Sequence, residues 1–300
     1  MKKKKIIVFL RGGIGNQLFQ YATARALALD NNCELVLDDW SGFVRDKLYR
    51  RKFELKHFKT QARLVSKLEI ASFFLYRLNN RIFKIPTKFI KNYFGIQILT
   101  DIDYTKYLPE LKEVNLKNCT YIDGLWQSPK YFENYKQLLQ KELMPPRPVS
   151  KKFLNIGEKM ISEESVAIGI RLYEEVSEEY LTSTGKIKKS LNINKAIDKI
   201  KTKIPNANFY IFCTKDDKIL NELELPKNTM KITAENGFAD TVNTLWLLSQ
   251  CKHHIITNST FYWWGAWLSN YKHYRSKQLI FAANNFFNKD IISSKWYTFN

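Results

Sequence analysis

The sequence lacks several features that would assign it to common structural classes. Its 300 residues include four cysteines, and none forms a C-x-x-C pair, so neither a zinc site nor a disulfide framework is indicated. No stretch approaches the roughly 20 apolar residues of a membrane span, and the N-terminal apolar run is too short for a signal peptide. Repeats, low-complexity tracts and nucleic-acid-binding signatures are also absent. We expect a cytoplasmic protein with small, buried cysteines in a reducing compartment.

Acidic residues are scarce relative to basic ones. Lys and Arg number 48 against 29 Asp and Glu, a net charge of +19 that implies an anionic partner. Residues 45–91 hold 14 of these cations against three acids, a local net of +11, with aromatic residues between the cations. This pattern predicts a basic helical insert at about 45–100 that contacts an anionic membrane from the cytoplasm. A solvated charged face on core helices fits it equally well.

Short apolar runs alternate with helix-like segments along the whole chain. Residues 5–10 and 33–39 read as buried strands around a helix at 16–32, which is a βαβ unit. The stretch "MPPRPVS", 144–150, contains three of the eight prolines and marks a boundary. Beyond it, further strands are predicted at 165–172 and 208–217, at 253–260, where the strand runs into a loop, and at 278–284, the last strand. Helices are predicted at 193–204, 241–251 and from 261. The pattern predicts an α/β fold of two Rossmann-like domains, 1–146 and 147–300, facing across a cleft.

The first candidate site is the glycine-rich stretch "RGGIGNQLFQ", which follows the first strand. Gly13 and Gly15 fit the first two positions of a dinucleotide fingerprint, but the third falls on Leu18, and no P-loop Lys-Ser/Thr follows. The remaining feature is a tight turn followed by two amides, Asn16 and Gln17, which suit sugar hydroxyls. The alternative is an ordinary turn with Asn16 as the helix N-cap.

The second candidate is "TNST", where a strand ends and a helix begins. Its last three residues, Asn258, Ser259 and Thr260, offer polar side chains and helix N-terminal N–H groups to a diphosphate. An ordinary helix cap is the alternative. We expect the tryptophans of the following helix to be core residues: Trp263, Trp264 and Trp267.

Two further strand ends carry charged residues. Arg171 could pair with a diphosphate through its planar guanidinium, or form a structural ion pair with Glu174 or Glu175. Asp216 could accept a hydrogen bond from a base edge, whereas an N-cap role for Asp216 or Asp217 is the alternative.

A possible metal site is the D-x-D triplet of Asp101 and Asp103, which could supply carboxylate ligands to a divalent ion. The triplet alone is a weak signal. The pair His253 and His254 lacks accompanying carboxylates, so we expect it to be structural.

Several stretches together resemble the bacterial α-1,2-fucosyltransferase family: "GGIGNQLFQYATARALA", "YIDGLWQSPKYF", "FYIFCTKDD" and "HHIITNSTFYWWGAWLS". The resemblance implies a GT-B-like fold and metal-independent, inverting transfer from GDP-fucose. It also implies a nucleotide-sugar side in the C-terminal domain and an acceptor side in the N-terminal domain. The predicted donor-binding residues are Arg171, which is also the predicted catalytic residue, Asp216, Asn258, Ser259 and Thr260. The residues predicted at the sugar and acceptor cleft are Gly13, Gly15, Asn16, Gln17, Trp126 and Gln127.

One family motif departs from its pattern here. "HxRRGDY" aligns with residues 169–175, which keep Arg171 but have Gly169, Leu172, Tyr173 and Glu174 at the His, second Arg, Gly and Asp positions. A divergent enzyme with another nucleotide sugar or linkage, or a non-catalytic glycan- or nucleotide-binding module, is therefore the alternative.

The resulting expectation is a glycosyltransferase that transfers fucose from GDP-fucose to a galactoside-type acceptor during surface-glycan synthesis. We expect no metal or other cofactor and no nucleic-acid partner. The acceptor would be a glycan or a lipid-linked oligosaccharide, and the leaving GDP would be stabilised by Arg171. Three aspartates are placed near the cleft, without an assigned base: Asp38, Asp39 and Asp123.

Overall fold

The computed structural model describes residues 3–44, 46–47, 49–71, 89–93, 95–173, 189–272 and 277–300. Its contacts divide the chain into two compact units. The first comprises Met1–Leu143 and Asn288–Ile291, and the second comprises Met144–Phe287 and Ile292–Asn300. The chain therefore enters the second unit at the start of the proline-rich stretch, and a short C-terminal segment returns to the first. The roles predicted for the ranges 1–146 and 147–300, and the cleft between them, stay predictions.

The first unit is built on a six-stranded sheet among the described residues. Its strands are β1 Lys5–Phe9, β2 Glu34–Asp38, β3 Arg63–Leu64, β4 Ile90–Tyr93, β5 Ile96–Thr100 and β6 Cys119–Asp123. They lie in the order β3-β2-β1-β6-β5-β4, and the pairs are parallel except for β4 with β5. β1 is an interior strand, and its side chains are buried on both faces of the sheet, which explains its uninterrupted apolar sequence "IIVF".

The helices of the first unit are short apart from the first. In the described part of the unit they are α1 Ile14–Asp30, α2 Glu110–Glu113 and α3 Lys136–Leu143, with a helical segment at 67–71. The 3₁₀ turns there are Leu55–His57, Pro129–Tyr131, Glu133–Tyr135 and Lys289–Ile291. Most of α1 is buried, which suits its Ala- and Leu-rich sequence because small side chains let a helix lie close to a sheet. The predicted β1–α1–β2 unit is confirmed.

The predicted helical insert at about 45–100 is wrong for most of the described part of that range. Apart from a helical segment at 67–71, the described residues form a 3₁₀ turn and strands β3, β4 and β5. β4 and β5 form an antiparallel hairpin whose turn contains Gly95 at φ +74°. Lys91 and Tyr93, the last cation and aromatic residue of the basic stretch in β4, thus belong to an edge strand. Residues 72–88, the centre of the predicted insert, lie outside the described residues.

The second unit contains a parallel sheet whose strand order matches a dinucleotide-binding fold. Its strands are β7 Ser165–Gly169, β8 Asn208–Phe212, β9 Met230–Ile232, β10 His253–Ile256, β11 Ile280–Ala283 and β12 Tyr297–Phe299. The order β12-β11-β10-β7-β8-β9 is the 3-2-1-4-5-6 Rossmann order counted from the first strand of the unit. The predicted fold class, α/β with two Rossmann-like domains, is confirmed at the level of the two units.

The second unit's helices are α4 Lys151–Ser162, α5 Ser190–Lys203, α6 Lys218–Asn221, α7 Thr241–Gln250 and α8 Thr260–Lys272. Its core includes the apolar faces of β7, β8 and α5, and the tryptophans of α8 are buried as predicted. Sequence patterns missed α4, β9 and β12, so residues 278–284 do not form the last strand. No helix in the described ranges is both long and apolar enough to cross a bilayer.

Candidate active site

The carboxyl ends of β7 and β10 form the switch point of the second sheet. These strands are neighbours, with Gly169 opposite Ile256, yet their connections leave toward opposite edges of the sheet. Loops diverge at such a point and leave a crevice, which is where open α/β sheets bind ligands. Arg171 follows β7 and the residues Asn258–Thr260 follow β10, so the predicted diphosphate residues lie on adjacent strand ends.

Thr257 joins these two strand ends. It is buried, and both its backbone N–H and its Oγ1 donate to the carbonyl of Gly169, at 3.0 Å each. Its Oγ1 also accepts a hydrogen bond from the backbone N–H of Arg171 at 2.8 Å. The backbone of Arg171 is therefore held directly beside the start of α8.

The side chains at this switch point combine a cation with a helix N-terminus. The guanidinium carbon of Arg171 lies 5.0 Å from the ring centre of Tyr173, and the Tyr173 hydroxyl donates to the carbonyl of Asn258 at 2.6 Å. The amide of Asn258 donates to the carbonyl of Asn285 at 2.9 Å. Ser259 accepts from the N–H of Trp263 at 3.0 Å, in the first turn of α8. A guanidinium beside a helix N-terminus suits a diphosphate.

The alternative ion-pair partners of Arg171, Glu174 and Glu175, lie outside the described residues.

Gly169 leaves no room for a side chain. A Cβ atom at this position would lie 2.4 Å from the Tyr262 ring. The hydroxyl of Tyr262 donates to the carbonyl of Ile170 at 3.0 Å, and this tyrosine is buried. The ring of Tyr262 therefore fills the space in which the resembling motif has its histidine.

Asp216 lies beyond β8, and its carboxylate forms an ion pair with a lysine side chain. Both carboxylate oxygens accept from the Lys231 ammonium at 2.9 Å, which holds the pKa of this carboxyl below its usual range. Its neighbour Asp217 caps α6 by accepting from the N–H of Ile219 at 3.1 Å, in line with the predicted alternative. A base-reading role for Asp216 stays a prediction.

The glycine-rich stretch forms the turn from the carboxyl end of β1, an interior strand of the first sheet, into α1. Gly12 has φ +78°, which favours glycine. Gly13 is the N-cap of α1, and its carbonyl accepts from the N–H groups of Asn16 and Gln17 at 2.9 and 3.1 Å. The alternative of Asn16 as N-cap is therefore wrong. Gly15 is buried in the first turn of α1.

Gln17 is fully buried, and its amide is used within the protein. Its Nε2 donates to the carbonyls of Gly12 and Lys52 at 2.9 and 2.8 Å, and its Oε1 accepts from the N–H of Glu54 at 2.9 Å. This side chain attaches the loop around residue 53 to the turn. It lies in the interior, in contrast to its predicted position on a ligand-facing wall.

Asn16 and Gln127 were predicted separately and are brought together by the fold. The Nε2 of Gln127 donates to the Oδ1 of Asn16 at 3.0 Å, across 111 residues. Trp126, which precedes Gln127, is 1% exposed and packs edge-on against Tyr131, with ring centres 5.7 Å apart. Trp126 was predicted to line a cleft, but its side chain lies in the core.

The loop that carries Trp126 and Gln127 is anchored by Asp101. The Oδ2 of Asp101 accepts from the N–H groups of Leu125 and Trp126 at 3.2 and 3.1 Å, and burial raises the pKa of this carboxyl. Gly124 permits the approach, since a Cβ there would lie 2.3 Å from the Cβ of Asp101.

Both aspartates of the D-x-D triplet serve as loop acceptors. Asp103 accepts from the backbone N–H of Thr105 at 3.1 Å and pairs with Lys106. No group of three or more potential metal ligands occurs among the residues described.

Sequence reasoning missed several residues around these sites. Arg11 at the end of β1 lies 3.3 Å from Asp123 at the end of β6, measured from Nη1 to Oδ1. Tyr173 and Tyr262 were also missed as contributors to the Arg171 environment. The altered motif could have indicated both tyrosines. Tyr173 stands at its glycine position, and Tyr262 fills the space beside Gly169, which stands at its histidine position.

The paired histidines are structural, as expected. His253 is buried with its Nε2 3.1 Å from Glu164, and its Nδ1 accepts from the N–H of Leu279 at 3.0 Å. His254 is buried, and its Nε2 lies 3.0 Å from the Ser269 hydroxyl.

Comparison with known proteins identifies relatives over nearly the whole chain. The family model described as glycosyl transferase family 11 matches residues 5–300. An alpha-1,2-colitosyltransferase of Escherichia coli is 30% identical over 273 residues, covering 89% of this chain and 88% of the relative. The O-antigen biosynthesis glycosyltransferase WbnK of Escherichia coli is 26% identical over 298 residues, covering 92% and 95%.

A solved structure shares the fold at low sequence identity. The fucosyltransferase NodZ from Bradyrhizobium matches with a TM-score of 0.51 and 15% identity, covering 88% of this chain and 92% of that protein. NodZ has also been solved after soaking with GDP-fucose. The likeness supports a GT-B-like fold.

Proposed function

The chain belongs to glycosyl transferase family 11, and we propose on that basis that it transfers fucose, or a related deoxy sugar, from a GDP-linked donor. The acceptor would be a hydroxyl of a galactoside-type glycan, free or lipid-linked, in the synthesis of a surface polysaccharide. A colitosyltransferase and an O-antigen enzyme among the relatives support this class of reaction. No metal or other cofactor is included in the proposal.

The observation that carries the proposal is the position of Arg171 beside Asn258–Thr260 at the switch point of the second sheet. In an inverting transfer, the acceptor oxygen bonds to the anomeric carbon, and the bond from that carbon to the β-phosphate oxygen breaks. The electron pair stays on GDP, and the proton of the acceptor hydroxyl passes to a general base or to water. Arg171 and the N–H groups at the start of α8 would stabilise the growing negative charge.

The donor sugar has two candidates. GDP-fucose is supported by the solved NodZ complex, whereas the relative at 30% identity is named for colitose. The ring of Tyr262 fills the space where the resembling motif has a histidine side chain. This difference favours a donor specificity distinct from that of enzymes that keep the motif.

A thermal-shift panel tests the donor class. We expect GDP to raise the unfolding temperature and UDP, CMP and dTDP to leave it unchanged, since a ligand at 100 times its Kd adds about 2.7 kcal/mol of stability. The GDP shift should be the same with EDTA present. A response to another nucleotide would replace the proposed donor, loss of the shift in EDTA would restore a metal role for Asp101 and Asp103, and no response would contradict the proposal.

We also propose that the enzyme binds the anionic surface of a membrane through a loop formed by the described residues 40–44, 46–47 and 49–52. Three large apolar side chains are exposed there: Trp40 at 47%, Val44 at 52% and Tyr49 at 44%. The exposed cations described beside them are Lys47, Arg50, Arg51 and Lys52. Asp46, an acid of this loop, accepts from backbone N–H groups of residues 49 and 51. Aromatic residues with cations suit the headgroup region of a bilayer.

Vesicle binding tests this loop. We expect the double variant Arg50→Gln/Arg51→Gln to bind phosphatidylserine vesicles about 30-fold more weakly than wild type, at about 1 kcal/mol per cation. The matched control, Lys195→Gln/Lys199→Gln on α5, removes the same charge from another exposed surface. Trp40 is more exposed than the six other tryptophans, so its emission should shift to the blue on binding. If both double variants lost vesicle affinity equally, net charge alone would explain the binding, and the proposal that this loop binds the membrane would be wrong.

A further inference from the structure

Tyr173 has a backbone conformation that its side chain disfavours. Its φ is +57°, in the left-handed region that suits glycine and that bulky residues rarely adopt. The motif that this segment resembles has a glycine at the same position. Residues kept in strained conformations cluster at functional sites, because the surroundings must hold them there. The tyrosine side chain is therefore a candidate for a role that a glycine could not supply.

Two contacts of Tyr173 define that role. Its ring lies beside the guanidinium of Arg171, at 5.0 Å from ring centre to guanidinium carbon, within the range of a cation–π interaction. Its hydroxyl donates to the carbonyl of Asn258 at 2.6 Å. One side chain thus contacts both halves of the switch point, the loop after β7 and the turn between β10 and α8.

The geometry points to Tyr173 as a positioning residue for donor binding. It holds the guanidinium of Arg171 toward the start of α8, where the diphosphate would bind, and its hydroxyl ties the ring itself to the turn before that helix. This inference rests on the proposed function. It goes beyond it because it assigns the task of orienting Arg171 to a residue that replaces glycine in the resembling motif.

A set of substitutions separates positioning from a merely structural contact. Tyr173→Asn removes the ring but keeps a residue that tolerates the left-handed region, and Tyr173→Gly removes both ring and strain. We expect both variants to unfold within about 2 °C of wild type. Their affinity for GDP, measured by calorimetry, should fall about 3- to 30-fold, the range of one cation–π contact. Tyr173→Phe keeps the ring and should stay within about 3-fold of wild type.

The matched control is Asn32→Gly, which changes another residue at positive φ, +48°, at the end of α1 in the first unit. It should leave GDP affinity unchanged. The decisive comparison is made in an Arg171→Ala background, where Tyr173→Asn should cause no further loss, because the ring acts through the guanidinium.

Three results would overturn the inference while leaving the proposed function intact. They are wild-type GDP affinity in Tyr173→Asn, an equal loss with and without Arg171, or a loss in Asn32→Gly of the same size. If wild-type protein does not bind GDP at all, the proposed function fails first, and the two failures are thereby distinguished.

Discussion

Arg171→Lys should lower kcat by about 10²- to 10³-fold while the protein stays folded. This loss corresponds to about 2.7–4 kcal/mol, the usual cost of removing one donor that stabilises negative charge in a transition state. Lysine keeps the positive charge but loses the planar fork that can donate two parallel hydrogen bonds to a diphosphate. It also loses the flat guanidinium that lies beside the ring of Tyr173.

The effect should fall more on turnover than on donor affinity. Charge on GDP grows as the bond to the sugar breaks, so a contact to the diphosphate is strongest in the transition state. Steady-state kinetics with GDP-fucose and a β-galactoside, together with GDP affinity by calorimetry, separate the two quantities.

The control for Arg171→Lys is Arg147→Lys. Arg147 belongs to the second unit and forms an exposed ion pair with Glu158, which contributes little to stability. Its variant should keep wild-type turnover. Near-wild-type turnover in Arg171→Lys would remove this arginine from the mechanism.

Gly169→His, which restores the histidine of the resembling motif, should destabilise the second unit by about 3 kcal/mol. A Cβ at this position would lie 2.4 Å from the ring of Tyr262, and overfilling a packed core typically costs about 1–3 kcal/mol. The backbone cannot move away freely, because the carbonyl of Gly169 accepts two hydrogen bonds from Thr257. The midpoint temperature of thermal unfolding should fall by about 6–12 °C.

The partner substitution identifies Tyr262 as the cause. In Gly169→His/Tyr262→Ala the imidazole gains the space of the ring, so the double variant should be more stable than the sum of the single losses predicts. Gly13→Ala is the control, since the nearest atoms to its added Cβ belong to the Arg51 guanidinium at 3.9 Å. Additive losses, or wild-type stability of Gly169→His, would show that the Tyr262 ring does not exclude the histidine.

The interior strands of the two sheets were predictable because buried strands have apolar sequences. β1, β6, β7 and β10 have neighbouring strands on both sides, and each contains consecutive buried apolar residues, although β10 begins with two histidines. Residues directly after them are at the carboxyl edge of the sheet whatever the details of packing. Arg171 and "TNST" could therefore be selected from the sequence as ligand-facing candidates.

Edge elements were predicted poorly for the same reason. β3 has two exposed residues, and β9 and β12 have three residues each. Their side chains are only partly buried, so their patterns differ little from loops or helix faces. The β4–β5 hairpin falls inside the predicted helical insert because the preceding cations and aromatic residues predict a helix, and this pattern continues to Lys91 and Tyr93.

The sequence by itself determined the fold class, the position of the glycine-rich turn after β1 and the placement of Arg171 and Asn258–Thr260 at strand ends. Local patterns of polarity and turn residues suffice for these features. The tertiary structure alone decided that Gln17 and Trp126 face the interior, that Asn16 meets Gln127, and that Tyr262 fills the space at Gly169. The last two outcomes depend on strand order, which brings residues 90 to more than 110 positions apart into contact and leaves no local trace in either partner.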